Sequence, residues 1–229
     1  MALEIELRGA RVRYGPLEAL HGVDLAVPAG AMTVLVGRNG SGRSTALHAL
    51  AGVVPLAAGR VLWHGRGGAV AAREITALDT YRRSRLGIAL LSAEQAVFPS
   101  LTVAENLVVP GPLGGGVEAG VELFPELSRL LPRTAGTLSG GEQRMVALCR
   151  VLTSPARLLL LDEFGLGLAE EVVARVHASL ASLVASGRTV LLAEQALPDE
   201  AAWDYVYELR RGDVVAARER QAPPPLSGA

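Results

Sequence analysis

Gly37-Arg38-Asn39-Gly40-Ser41-Gly42-Arg43-Ser44-Thr45 stands between an apolar stretch, residues 33–36, and a helical pattern, residues 44–51. The spacing is GxxxxG[K]S, the phosphate-binding loop that joins a strand to a helix, with arginine where lysine is expected. Gly37, Gly40 and Gly42 let successive backbone N–H groups turn toward one anion, and the following helix adds its positive end. Asn39, Ser41, Arg43 and Thr45 complete the candidate phosphate contacts, and Ser44 is the expected hydroxyl ligand of Mg²⁺. Taken alone, with the lysine missing, the same residues also fit a glycine-rich turn ahead of a helix.

Outward from this loop, apolar stretches at 87–91, 158–161 and 189–193 read as strands buried on both faces. Helical patterns at 143–152 and 170–185 lie between them. Strands alternating with helices predict an α/β domain built on a parallel sheet covered on both sides. Ahead of the loop, residues 1–8 alternate through Leu3, Ile5 and Leu7, and turns at Gly9, Gly15-Pro16 and Pro28 to Gly30 predict a small antiparallel sheet. Residues 63–73, with Gly65, Gly67 and Gly68, read as a loop. Residues 108–120 carry two prolines and five glycines and are not expected to form a long helix. The tail from Arg218, which includes Pro223 to Pro225, is expected to be disordered.

The bulk properties narrow the function. A chain of 229 residues suits one large domain with an inserted subdomain rather than two independent domains. Its 22 Lys and Arg balance 23 Asp and Glu, which argues against a nucleic-acid binder working by bulk charge. The single cysteine, Cys149, excludes an intrachain disulfide and fits a reducing compartment. No apolar run reaches the roughly 18–20 residues of a membrane span, so no direct membrane insertion is expected.

Two further motifs carry chemistry. Leu138-Ser139-Gly140-Gly141-Glu142-Gln143 sets Ser139 and the backbone of Gly140 and Gly141 at a helix N-terminus, a second anion site. Leu158-Leu159-Leu160-Leu161-Asp162-Glu163 is an apolar strand ending in two carboxylates. The first of these is an unbroken match to the ABC signature sequence, and a chance match over six positions is on the order of 10⁻⁵. With the phosphate loop and the paired carboxylates, the chain resembles the ATP-binding subunits of ABC transporters over nearly its whole length.

That resemblance implies a P-loop NTPase core of ABC type, with residues 1–91 and 154–217 as nucleotide-binding core, 92–153 as helical subdomain and 218–229 as tail. It implies ATP and Mg²⁺, with Asp162 holding the ion through water and Glu163 polarising the attacking water. Ser139, Gly140, Gly141 and Gln143 would face the γ-phosphate held by a second ABC subunit, and Tyr14, followed by Gly15 and Ala19-Leu20, resembles the segment that stacks on adenine. The stretches Leu86-Gly87-Ile88-Ala89, Val97-Phe98-Pro99-Ser100-Leu101-Thr102-Val103, Glu105-Asn106-Leu107, Glu122-Leu123-Phe124-Pro125, Gly165-Leu166-Gly167-Leu168-Ala169 and Glu194-Gln195 look like one branch, the ATP-binding subunits of branched-chain amino-acid importers. The implied partners are a second ATPase subunit, identical or not, and transmembrane permease subunits. The implied location is cytoplasmic, at the inner face of the membrane.

Departures from the pattern cluster at catalytic positions. Arg43 replaces a compact ammonium by a wide planar fork. Ala93 falls where the branch carries an acidic metal-contacting residue, with Glu94 one position later as the candidate ligand. Phe164-Gly165 stands where Pro-Ser is usual. Gln195 occupies the switch-histidine position, as in the same branch, and can donate a hydrogen bond but cannot act as a cation. The glycine-rich 108–120 stretch suggests a shorter, looser helical subdomain. Three readings follow: a hydrolysing importer subunit, a degenerate subunit with one poor site in a heterodimer, and an ABC-type regulatory protein without a transporter.

Overall fold

In β1 (Leu3–Tyr14) the alternation of Ile5 and Leu7 resumes past a bulge at Gly9 as Ala10 and Val12, all buried, so the strand runs beyond residue 8. It pairs antiparallel with β2 (Leu17–Pro28). The computed structural model describes residues 2–65, 72–92, 97–108, 116–197 and 203–220. After the hairpin come β3 (Met32–Val36), α1 (Arg43–Ala51), β4 (Ala58–Trp63), β5 (Arg73–Glu74), α2 (Thr80–Arg85), β6 (Ile88–Leu91), α3 (Val103–Val108) and α4 (Val117–Leu123). The chain continues through α5 (Gly140–Leu152), β7 (Leu158–Asp162), α6 (Glu170–Ala185), β8 (Thr189–Glu194), β9 (Tyr205–Arg210) and β10 (Asp213–Glu219).

Two sheets result, a four-stranded one ordered β2-β1-β4-β5 and a six-stranded one ordered β10-β9-β3-β8-β7-β6. The second is parallel except for β10, which closes one edge antiparallel to β9. The expected α/β class, the parallel sheet and the small antiparallel sheet are all present. Apolar residues on both faces of each central strand have separate destinations. Val34, Val36, Leu159, Leu161, Val190 and Leu192 pack with Val146 of α5, Val176 and Leu180 of α6, and Phe124. Leu35, Leu158, Leu160, Leu191 and Ala193 point the other way, onto Leu47 and Leu50 of α1 and Leu25 of the antiparallel sheet. Period-2 alternation thus serves two cores at once, one on each side of the sheet.

Two sequence expectations need revision at their edges. Residues 63–73 are not wholly loop, because Leu62 and Trp63 pair with Glu74 and Arg73; residues 66–71 lie outside the described residues. Arg218 and Glu219 are not tail but the end of β10, opposite Val206 and Tyr205, and residues 221–229 lie outside the described residues. In each case a partner strand extends the pairing past the local sequence signal. In the 108–120 region the described residues carry no long helix: Val108 closes α3, residues 117–120 open the seven-residue α4, and 109–115 lie outside.

The two sheets are joined at the lower end by a buried charge. Glu4 of β1 is 0% exposed and accepts from Arg157 Nε at 3.1 Å and Nη2 at 3.0 Å, and from Thr189 Oγ1 at 3.3 Å. Removing the cation would leave a buried carboxylate with one hydroxyl. Arg157→Met should therefore lower stability by about 3 kcal/mol, read as a drop in the urea midpoint at unchanged slope. A loss below a few tenths of that would mean the pair does not join the sheets.

Candidate nucleotide site

The carboxyl ends of β3, β7 and β8 meet in register, Val36 opposite Glu194 and Asp162 opposite Ala193, and the chain leaves each there. That crevice is where parallel α/β sheets hold ligands. The loop after β3 is shaped by contact. A Cβ on Gly37 would lie 2.4 Å from the Leu209 carbonyl oxygen and 2.6 Å from Ser41 Oγ, so no side chain fits. Gly42 sits at φ 103, with Leu20 Cδ2 2.9 Å from where a Cβ would be. The Gly212 N–H, from the turn between β9 and β10, donates to the Ser41 carbonyl at 2.9 Å and braces the loop from outside. Gly42 caps α1 without a side-chain bond, so the first-turn amides are free to meet an anion.

Asn39, Gly40, Ser41, Gly42, Arg43, Ser44, Thr45, Asp162 and Glu163 line a cavity of ≈ 300 Å³. The structure thus brings together the phosphate-loop residues and both carboxylates of the third motif. Ser44 Oγ donates to Asp162 Oδ1 at 3.0 Å, joining two of the three expected Mg²⁺ ligands. Burial raises the Asp162 carboxyl above the ordinary range, with the Ser44 bond opposing. Arg43 Nη2 donates to Glu163 Oε1 at 2.9 Å.

Two polar atoms in this loop, Arg43 Nη1 and Ser41 Oγ, are buried without a partner among the described residues. Leaving such a group unsatisfied costs about 1–3 kcal/mol, which a phosphate oxygen would relieve, so the residues present fit a nucleotide. For the metal, one hydroxyl and one carboxylate fit a hard cation that draws its other ligands from water and phosphate. No cluster of three or more His, Cys, Asp or Glu that could hold a metal occurs among the described residues.

Other expected site residues lie apart from the cavity. Ser139, Gly140, Gly141 and Gln143 stand at the start of α5, where Ser139 Oγ accepts from the Glu142 N–H at 3.3 Å and Glu142 Oε2 accepts from the Ser139 N–H at 2.8 Å. This capping box holds the Glu142 carboxyl below its ordinary value, and its S-x-x-E signal was present in the sequence. Tyr14 ends β1, 45% exposed. Gln195 follows β8 and is exposed, outside the cavity lining. Glu94, the third metal candidate, lies outside the described residues, as does Ala93.

Two residues that the motifs did not mark complete the site. Arg144 of α5 is buried, and its guanidinium donates to the carbonyls of Asp162 at 2.7 Å, Glu163 at 2.8 Å, Phe164 at 3.2 Å and Ser92 at 2.7 Å. Glu194, the last residue of β8, is pushed up to about 7 by burial first and then by the Glu163 charge. The only sequence sign of Arg144 was a charge inside an apolar pattern, and Glu194 stood in the Glu194-Gln195 stretch of the resemblance without a role of its own.

A glycine-rich loop against the carboxylate-ended strand, with a capped signature helix on the same chain, defines a P-loop nucleotide-binding domain of ABC type. Residues 20–164 match the family described as ABC transporter, and this chain belongs to that family. Among its relatives, the high-affinity branched-chain amino acid transport ATP-binding protein BraG of Pseudomonas aeruginosa is 37% identical over 80% of this chain and 78% of its own. The probable branched-chain amino acid transport ATP-binding protein LivF of Archaeoglobus fulgidus is 38% identical over 66% of this chain and 63% of its own. An Fe(3+) ions import ATP-binding protein of Mesorhizobium japonicum is 35% identical over 82% of this chain and 52% of its own. In fold, a nucleotide-free ATP-binding cassette from an ABC transporter aligns with TM-score 0.78 at 24% identity over 96% of this chain and 92% of that one. A dimeric bacterial ABC transporter cassette aligns with TM-score 0.80 at 21% identity over 95% and 99%.

Glu194 gives the site a pH signature. Its folded pKa of about 7 lies above the unfolded value, so the folded chain binds the extra proton between the two. Its contribution is full below the unfolded pKa and is lost as pH rises through about 7. Glu194→Gln should raise Tm at pH 8 by more than at pH 5. Equal gains at both values would remove Glu194 from the carboxylate cluster.

Proposed function

We propose that this chain is the ATP-binding subunit of an importer of the branched-chain amino-acid type. It binds Mg-ATP in the cavity at the carboxyl ends of β3, β7 and β8 and closes on it with a second ABC subunit. The observation that carries this reading is the phosphate loop, with two buried polar atoms that have no partner among the described residues, set against Ser44 and Asp162 at 3.0 Å. In this reading Ser44 would hold Mg²⁺ directly and Asp162 through water, with Glu94 as a further candidate ligand, and Glu163 would polarise the attacking water. Tyr14 stacks on adenine, and Gln195 acts at the switch position. Residues 1–91 and 154–217 are the nucleotide-binding core, with residues 92–153 as the helical subdomain that meets permease subunits. No helix among the described residues is long and apolar enough to cross a membrane, so placement at the inner membrane face comes through those partners. Substrate choice follows the relatives BraG and LivF.

One observation favours a second form of the same function. Arg43, at the lysine position, is bonded to Glu163, while the signature helix is intact and capped. A site with this pairing turns over slowly, and a loss of 10²–10³ in rate is roughly 3–4 kcal/mol of transition-state stabilisation. Paired with a subunit that has an ordinary lysine loop, the chain would supply one slow site and complete one fast site.

The direct test is a calorimetric titration of the folded chain with Mg-ATP. Binding below millimolar concentration is expected, and none at that concentration removes the nucleotide reading. Glu163→Gln should abolish the remaining hydrolysis while ATP still binds; unchanged hydrolysis would mean the carboxylate is structural. In a mixed dimer, Ser139→Arg in this chain should collapse activity, because bulk and misplaced charge block the partner's site, while Arg43→Ala should cost little. The reverse ranking would show that the roles of the two motifs are exchanged.

A further inference from the structure

One arm of Arg43 is committed and the other is not. Nη2 donates to Glu163 Oε1 at 2.9 Å, with the two side chains 4% and 21% exposed. Nη1 is buried and has no acceptor among the described residues. Both residues line the cavity enclosed by the phosphate loop. The ammonium of a lysine is one compact charge, whereas a guanidinium presents a rigid fork that can serve one acceptor on each arm. The anchor is itself fixed. Glu163 stands at φ 42, its N–H donates to the Ala193 carbonyl at 3.0 Å, and its carbonyl accepts from Arg144 at 2.8 Å.

We propose that Arg43 is a positioning residue that bridges Glu163 and a nucleotide phosphate oxygen, one on each arm of its guanidinium. The inference rests on the nucleotide-binding reading of this cavity. An entering phosphate satisfies Nη1 without releasing Nη2, so Glu163 stays tied to the phosphate loop in the filled site. Glu163 thereby orients the cation that grips the nucleotide and contributes to binding as well as to turnover. Its Oε1 is engaged, which leaves Oε2 to meet a water. The slow turnover proposed for this site then follows from a carboxylate shared between two tasks.

The experiment is a double-mutant cycle on the full chain, titrating a non-hydrolysable ATP analogue with Mg²⁺ into wild type, Glu163→Gln, Arg43→Met and the double variant. Removing a carboxylate beside a polyphosphate favours binding in every background, so the informative quantity is the difference between backgrounds. Glu163→Gln should be at least five-fold less favourable to binding with Arg43 present than with Met there. A difference under five-fold overturns the bridge while leaving nucleotide binding standing. Absence of binding in all four proteins overturns the bridge together with the reading beneath it. Arg43→Lys supplies a readout that does not need the Met variant to fold. It should raise kcat at least ten-fold with KM changed less than three-fold, because Glu163 is freed while charge remains at the phosphate. A fall in kcat overturns the proposal.

Discussion

The turn that leaves β7 depends on a single buried guanidinium. Past Asp162 the backbone kinks through Glu163 at φ 42, a conformation that a non-glycine residue adopts at a cost of about 1–3 kcal/mol. Three successive carbonyls, of Asp162, Glu163 and Phe164, turn inward there, and Arg144 satisfies all three while also holding the Ser92 carbonyl. Buried carbonyls without donors would undo the turn, and with it the direction in which Glu163 points. Because Arg144 belongs to the helix that opens with Ser139, its bonds tie the signature helix to the carboxylate turn and to the end of β6. The geometry of the phosphate cavity is thus set partly from a helix that contributes nothing to its lining.

Charge balance within the cavity is the second constraint. Asp162, Glu163 and Glu194 crowd the ends of adjacent strands, and Arg43 and Arg144 are the cations set among them. The cluster settles by three different routes: Asp162 takes a hydrogen bond from Ser44, Glu163 takes Arg43, and Glu194 holds its proton to higher pH. The arginine at the lysine position belongs to this balance, and it is spatially a partner of the carboxylates before any nucleotide enters.

Much of this was legible in the sequence where function and structure act locally. Strands buried on both faces leave short runs such as Leu158 to Leu161, and the phosphate loop needs its glycines within six residues. The pairing of Ser44 with Asp162 was legible because each lies in a motif of its own, although 118 residues separate them. What could not be read was set by distant partners. The bond between Arg43 and Glu163, the four carbonyls on Arg144 and the half-burial of Glu194 have no local signature, since a charged residue beside an apolar run reads the same when solvated. Strand ends failed for a similar reason: β1 and β10 continue as far as their neighbours accept hydrogen bonds, whatever their own composition.

The position of β3 has a consequence for the growing chain. It lies between β8 and β9, so neither of its neighbours exists until residues 189–210 have been made. The antiparallel hairpin of β1 and β2 can close early, with β4 soon after, but β3 and its loop wait for residues 189–210. Even then the loop lacks its outer brace until Gly212 arrives to meet Ser41. The phosphate loop is therefore made well before the strands and the turn that shape it. Pairings of such long sequence separation are slow to form and expose apolar strand edges meanwhile. For this chain the nucleotide site takes shape only once those later strands have paired.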